Sequence, residues 1–490
     1  MPPPPPTRAP VALHEPVRTS PLTIALELAG LVTLATGAVL AMWAGAGFEA
    51  PQLVLGALFI GGRIVGWWFR TYTVTEGELV LDEGIFQKRH RVVPFSRIQQ
   101  VELRQQLFAR LFGITAVHIE TAADAGGTAV TLRSLELGQA EALRDHLLSE
   151  QRRVRRGDAP QPAEPGSAWS ADRLAPTRTP LVRLTPWQLL EAGATSSATI
   201  GAVAAIVVGA AVLATVVATA RDWSPLLTAA LALLVTVGAS LALAATNALA
   251  TMVQSWDYEL SASGEDLHLS HGLLDRRQHT MPRHRLQHAR ITDNPLRRRI
   301  GTVSVELHSA ASPGGGDQQQ GHLAIPLVRR SLLPDLLVTA MGAERWRPPP
   351  VVPRPPAARR RAVVRRTVAT TALVLPLAIL GWPAGAGVLP LALLGIPWGL
   401  LAHARAGSAL EGPVLALAAG AVVHHLELIP AERLQSARTA ASPLQRRLAL
   451  TTLHLDVAGG GSLLGTAGPH LHDLDGPTAT AAMRRAPSVR

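Results

Sequence analysis

The chain has 490 residues, 48% of them hydrophobic, 17% charged and 4% aromatic, with a formal net charge of +11 and no cysteine. Without cysteine, disulfides, iron–sulfur clusters, thiolate zinc sites and cysteine nucleophiles are excluded. The length suggests about three domains, and a mean hydropathy of +0.21 argues against a soluble or disordered chain, so part of it should sit in lipid. Lys88 is the single lysine among 46 basic residues. A coding bias toward Ala, Arg, Gly and Pro accounts for this as readily as arginine's bidentate grip on phosphate does.

Residues 1–20, with the tract Pro2 to Pro6, read as a disordered tail rather than a cleaved signal peptide, because the apolar segment that follows is long and leads into a second one. Residues 22–43 and 53–69 are nearly all apolar, and each is long enough to cross a hydrocarbon core of about 30 Å. A second pair covers residues 195–219 and 226–248, and a third, interrupted by Pro376, Pro383, Pro390 and Pro397, covers 367–380 and 385–401. Six such runs in three close pairs predict three transmembrane hairpins (21–69, 188–254 and 366–403) rather than buried core helices. The tight turns carry only Arg221, whereas the other ends carry clusters such as Arg359, Arg360 and Arg361. Arginine asymmetry therefore predicts a multi-pass protein of the cell (inner) membrane with both termini and the polar segments in the cytoplasm. Within the first hairpin, Glu27 and Arg63 should each lie roughly 8–9 Å deep, either as a structural ion pair or as part of a proton or substrate path.

The polar segments repeat. Gly84, Gly272 and Gly420 are each followed ten residues later by Pro94, Pro282 and Pro430, and then by Arg97-Ile98-Gln99, Arg285-Leu286-Gln287 and Arg433-Leu434-Gln435. Without gaps, Arg110, Arg298 and Arg446 follow, then the apolar alternations Val117/Ile119, Val305/Leu307 and Leu453/Leu455. The chain reads as one hairpin-plus-domain unit written three times, with domains at 70–150, 255–345 and 404–490, a linker at 151–187 and a basic Pro-rich linker at 346–365. Alternating leucines before each glycine predict a strand, and Asp82-Glu83-Gly84 a turn. Asn294-Pro295 and Ser442-Pro443 predict an N-cap and first helical residue, so that one short helical turn carries each shared arginine. Ala140, Leu143 and Leu147 lie on one stripe of a closing amphipathic helix. Each domain is thus a small antiparallel β-barrel or sandwich capped by a C-terminal helix.

The run Tyr72 to Leu79, Gly84-Ile85-Phe86, Pro94 to Val101 and Leu107 to Gly113 resembles the pleckstrin-homology (PH) domain of YdbS/YdbT-like bacterial membrane proteins. The resemblance covers most of the chain outside the tail and linkers. It implies six transmembrane α-helices in three hairpins alternating with three cytoplasmic PH-like domains. Some members of this family are linked to resistance against antimicrobial compounds.

Two readings of the shared polar residues stay open. Arg97, Gln99, Arg285, Gln287, Arg433 and Gln435 could grip phosphate head groups or an acidic partner, or pair with carboxylates on their own sheet. Lys88, Arg89, Arg91, Arg276, Arg277, Arg297 and Arg299 are candidates for lipid head-group contact, at about 1 kcal/mol per basic residue near an anionic leaflet, or form a solvated charged face. The histidines of the second copy lack acidic or thiolate co-ligands, and no phosphate loop, dinucleotide fingerprint or nucleophile elbow appears. The sequence therefore predicts no enzyme, no metal and no cofactor. It predicts a scaffold binding anionic lipid or a protein, as a homo-oligomer or in a hetero-complex with another bacterial PH-domain membrane protein, and the alternative is a transport or export component. Nucleic acid is disfavoured because the basic residues track the membrane boundary without an aromatic platform.

Overall fold

The structure, a computed structural model, describes residues 17–18, 71–75, 78–83, 89–95, 98–121, 130–156, 178–220, 224–309, 322–341, 348–380, 384–457 and 470–484. The first predicted hairpin, with Glu27 and Arg63, lies outside them. Two compact units divide the chain, one formed by residues 1–179 and 261–281 and the other by 180–260 and 282–490.

In the first unit, β1 (Val17–Arg18), β2 (Thr71–Thr75), β3 (Glu78–Glu83) and β4 (Arg89–Pro94) form an antiparallel sheet in that order. Asp82 and Glu83 pair with His90 and Arg89, so they belong to the strand and not to the turn expected there. After Pro94, the proline that recurs in each repeat, come β5 (Ile98–Gln106), the one-turn helix α1 (Leu107–Leu111), β6 (Ile114–Thr121), β7 (Val130–Glu136) and the closing helix α2 (Leu137–Arg156). Alternate residues of both sheets and one face of α2 meet in a single core that includes Tyr72, Leu79, Phe95, Ile98, Val117, Ile119 and Leu147. Period-2 burial on the strands and the Ala140–Leu143–Leu147 stripe on the helix account for that core.

The second repeat begins with β8 (Thr179–Arg183), the helices α3 (Pro186–Ala194), α4 (Ser197–Ala220) and α5 (Pro225–Gln254), and strand β9 (Glu259–Ser263), which leads from the second unit into the first. There β10 (Asp266–His271) and β11 (Asp275–Pro282) extend the sheet of the first repeat, giving the order β7-β6-β5-β11-β10 within this unit. The chain returns to the second unit with β12 (Leu286–Asp293), α6 (Pro295–Ile300), β13 (Thr302–Ser309), β14 (His322–Arg329) and α7 (Leu333–Met341).

The third repeat adds β15 (Val352–Pro353), α8 (Ala357–Leu380), a 3-10 segment at Ala384–Leu394, α9 (Gly395–Ala404), β16 (Gly407–Ala409), β17 (Val414–Ala419), β18 (His424–Pro430), β19 (Leu434–Ala440), α10 (Pro443–Arg447), β20 (Leu450–Val457), β21 (His470–Asp475) and α11 (Gly476–Met483). One sheet runs β14-β13-β12-β18-β17-β16-β15 and another β19-β20-β21. Leu415, Leu417, Ile429, Leu434, Leu453, Leu455 and Leu471 join both halves of the third repeat in one core.

Among the described residues, Ser197–Ala214 and Leu226–Gln254 are long and apolar enough to cross a membrane, with only 6% of each window buried. Length and composition of this kind, with so little of each helix covered, suit a membrane span. The third pair differs from the expected pair of spans. Helix α8 begins with arginines, and its partner arm is 3-10 before it becomes α9, a consequence of Pro390 and Pro397, which remove backbone donors. Its arms nevertheless pack closely. A Cβ on Gly395 would lie 2.4 Å from Thr367 Cα and one on Gly399 2.5 Å from Val363 Cα, so only glycine fits at this small-xxx-small crossing.

Candidate functional site

The shared arginines Arg110, Arg298 and Arg446 sit on the one-turn helices α1, α6 and α10. The expected caps are in place. Asn294 Oδ1 accepts from the Arg297 N–H at 3.0 Å, Ser442 Oγ from the Gln445 N–H at 3.3 Å, and Gly301 ends α6 at φ +76°. Each turn presents apolar side chains to solvent beside its arginines: Leu107, Leu111 and Phe112, then Leu296 and Ile300, then Leu444 and Leu448. Arg110, Arg299 and Arg446 are exposed with them.

The second of these tips is fixed at the base of the second hairpin. Arg297, expected on a solvent-facing basic cluster, is instead 4% exposed. Its Nε donates to Thr195 O at 3.2 Å and to Thr195 Oγ1 at 3.3 Å, and its Nη2 to Ala192 O at 3.0 Å. Asn294 Nδ2 also donates to Thr195 O, at 2.7 Å. These carbonyls end α3, where the helix has no internal donors left and its dipole favours a cation. Burial lowers the Arg297 pKa to about 10, which leaves it charged at neutral pH. The transmembrane candidate α4 begins two residues beyond Thr195. The tip that carries Leu296, Arg299 and Ile300 is therefore tied next to the start of α4. The third repeat has a counterpart: the fully buried Asp473 accepts from Gln445 Nε2 at 2.9 Å and pairs with Arg361 at the start of α8.

The remaining predicted residues fall into different settings. Arg298 Nε donates to Asp293 Oδ1 at 3.0 Å, and its Nη2 to Val422 O at 3.1 Å. Arg277 Nε donates to Asp275 Oδ2 at 3.1 Å, and Arg276 is half-buried opposite Gln105. Arg285 and Arg433 lie in 3-10 turns after the bend prolines. Gln287 is buried and donates to Arg285 O at 3.2 Å, whereas Gln435 is exposed. Arg91 is exposed on β4. Arg89 and Gln99 lie on β4 and β5, their side chains outside the described set, as are Lys88 and Arg97 altogether. Sequence reasoning missed Asn294, Asp293, Thr195 and Asp473 as anchoring residues. Asn294-Pro295 was read only as a cap.

The histidines of the second repeat form a ladder across β12, β13 and β14. The rings of His288 and His308 stack at 4.3 Å and those of His308 and His322 at 5.4 Å. Burial, then the nearby charges of His308 and Arg290, lower the His288 pKa to about 3, and the opposing pull of Glu306 is smaller. The His308 ring holds the Glu306 carboxyl below its usual range. Among the described residues no three His, Asp or Glu side chains are placed to share a metal ion.

The bacterial PH domain family matches residues 23–151, 196–337 and 363–487. The transmembrane protein YdbT of Bacillus subtilis (strain 168) is 25% identical over 426 residues, covering 83% of each chain. No solved structure matches. With three matched stretches that together span most of its length, alternating sheets that repeat the same bend and tip, and lipid-suited helices between them, the chain belongs to the bacterial PH domain family and is a membrane-associated member of it.

Proposed function

We propose that the chain is a non-enzymatic scaffold of the cell inner membrane, in which six transmembrane helices in three hairpins hold three cytoplasmic PH-like domains against the leaflet for binding anionic lipid and a protein partner. The observation that carries this reading is the α6 tip, where Arg297 and Asn294 tie Leu296, Arg299 and Ile300 to the start of a lipid-suited helix. Apolar side chains beside arginine suit the boundary between acyl chains and head groups. Tethering three such tips sums weak contacts through effective concentration.

The test uses the full chain in nanodiscs of phosphatidylcholine alone or mixed with phosphatidylglycerol. Amide exchange in residues 295–300 should slow in the anionic discs, and Arg299→Glu should abolish the difference. Equal exchange in both lipids would remove the support for head-group binding.

A further inference from the structure

The foot of the third hairpin gathers more positive charge than its surroundings neutralise. Arg361 and Arg365 stand one turn apart on the same face of α8. Arg366 follows them, and Arg354 precedes them in the turn between β15 and α8. All four are half-buried, whereas Arg359 and Arg360 of the same helix are exposed. Asp473 on β21 is the one carboxylate among the described residues that acts on Arg354 or Arg365, and each of these two also feels the like charge of Arg366. Burial lowers the Arg354 pKa to about 10, with Asp473 opposing the shift and Arg365 and Arg366 reinforcing it, so the group stays charged at neutral pH. His472 adds no charge there, because burial, then Arg365 and His470, lower its pKa to about 4.

One carboxylate cannot serve this group. Asp473 is fully buried, and its Oδ1 already accepts from Gln445 Nε2 at 2.9 Å and pairs with Arg361. The Nε atoms of Arg354 and Arg366 are buried and meet no acceptor among the described residues. The Arg366 guanidinium lies 5.4 Å from the centroid of the Trp398 ring, a contact that steadies the cation without supplying a lone pair. Turning Arg354 onto Asp473 Oδ2, which is buried without a donor, would still leave Arg365 and Arg366 uncompensated. Elsewhere in the same unit such arginines are closed off. Arg298 and Arg330 each take one oxygen of the buried Asp293, and Arg298 and Arg405 also donate to Val422 O at 3.1 Å and Ala421 O at 2.6 Å. Arg297 is likewise met by the carbonyls that end α3. Buried polar groups are as a rule hydrogen-bonded and buried charges paired, so unmet guanidinium donors gathered at one point mark a place for an anion.

We propose that Arg354, Arg365 and Arg366 form a binding site for a single phosphate group, with Arg361 and Asp473 fixing the wall behind it. A phosphate spreads its charge over several oxygens and so accepts from several guanidinium groups at once, which a halide does not do with comparable direction. Two sources share this chemistry: the head group of an anionic lipid, within reach because Arg366 opens the third hairpin, and free phosphate. The lipid source rests on the scaffold reading above and gives that scaffold a second contact besides the α6 tip. The anion site itself does not depend on that reading.

The test takes the full chain purified in uncharged detergent, free of phosphate and of anionic lipid, and divides it into two arms. In one, inorganic phosphate is titrated in at constant ionic strength and the melting temperature is followed. In the other, phosphatidylglycerol and phosphatidylcholine compete for the chain, and native mass spectrometry counts the lipid retained. At least one arm should respond, by a melting temperature that rises with phosphate and not with matched chloride, or by one phosphatidylglycerol held in preference to phosphatidylcholine. Arg365→Gln with Arg366→Gln should weaken the response about tenfold or more. Arg360→Gln, which removes an exposed charge from the same helix, should leave it unchanged. A response to inorganic phosphate alone identifies the free ion as the ligand, and a response to phosphatidylglycerol alone identifies the lipid. Silence in both arms, or a response that survives the double variant, would overturn the proposal. A second measurement guards against misfolding: in phosphate-free micelles Arg365→Gln should raise the melting temperature, since it relieves repulsion between like charges. A fall would show that Arg365 supports the fold and not a ligand. Amide exchange at the α6 tip reads the scaffold function on other residues, so either reading can fail alone.

Discussion

Replacing Arg297 with methionine isolates the contact that ties a PH-like repeat to its hairpin. Three hydrogen bonds from a charged donor disappear, at 3.0, 3.2 and 3.3 Å. Thr195 O would keep its 2.7 Å bond from Asn294, and the Thr195 hydroxyl would still donate to Glu191 O at 2.7 Å. Ala192 O loses its Arg297 donor. Hydrogen bonds to charged groups contribute about 1.5–3 kcal/mol each and an orphaned buried carbonyl costs about 1–3, while the guanidinium no longer has to be desolvated. The net loss should be roughly 2–4 kcal/mol, about a 30- to 1,000-fold shift in local opening. Amide exchange of residues 195–200 and detergent-denaturant titration of the full chain would read it. Arg298→Met, whose Asp293 partner keeps its pairing with Arg330, should cost less than about 1 kcal/mol. A change below about 0.5 kcal/mol for Arg297→Met would refute the idea that this side chain anchors the tip.

Further outcomes follow from the same geometry. Gly272→Ala and Gly420→Ala place a side chain at φ +112° and +109°, with a Cβ 2.0 Å from the Asp275 or Val423 carbonyl oxygen. Each should lower thermal stability by about 1–3 kcal/mol, and an unchanged melting curve would argue against the turn geometry. Gly399→Leu should separate the arms of the third hairpin, seen as faster exchange over residues 363–370; native-like exchange would contradict the close crossing. His288 binds its proton near pH 3 when folded and near 6.5 when unfolded. Stability is therefore fully present above about pH 6.5 and falls as the pH drops toward 3, by about 1.4 kcal/mol at pH 5.5. His322, also lowered by burial, adds to this slope, and Glu306 acts in the same direction only at lower pH. His288→Phe should flatten the dependence between pH 6.5 and 5 in a denaturation series, and an unaltered slope would exclude His288 as its source.

Features written locally and repeated were the legible ones. Proline after Asn294 and Ser442 and alternating apolar residues such as Val305 and Leu307 each express a single-residue preference, and these occur in the structure as expected. Arg297 was misread because it stands in a run of three arginines. Comparing copies resolves it: its equivalents Ala109 and Gln445 are not basic, and all three positions are buried. The shared arginines Arg110 and Arg446, next in sequence, are exposed. The junctions between repeats left no local trace. Strand pairing is chosen by edge register and by partners far away in sequence, and Glu102 facing His279 or Glu427 facing Arg290 has no meaning until the two strands are brought together.

The edge-to-edge joining of repeats bears on how the chain is made. Arg104 and its partner Asp275 are 171 residues apart. At about 5–20 residues per second of synthesis, β5 emerges roughly 9–34 s before β11 can cover it, and β12 waits similarly for β18. During each interval a newly made domain carries a bare sheet edge beside the ribosome, lined in turn by Glu102 and Arg104 and by Arg290 and Asp293. Those charges discourage aggregation of the half-finished sheet, and they are the same groups that later select the incoming strand. Removing them would therefore reduce the yield of folded chain before it altered any property of the finished one.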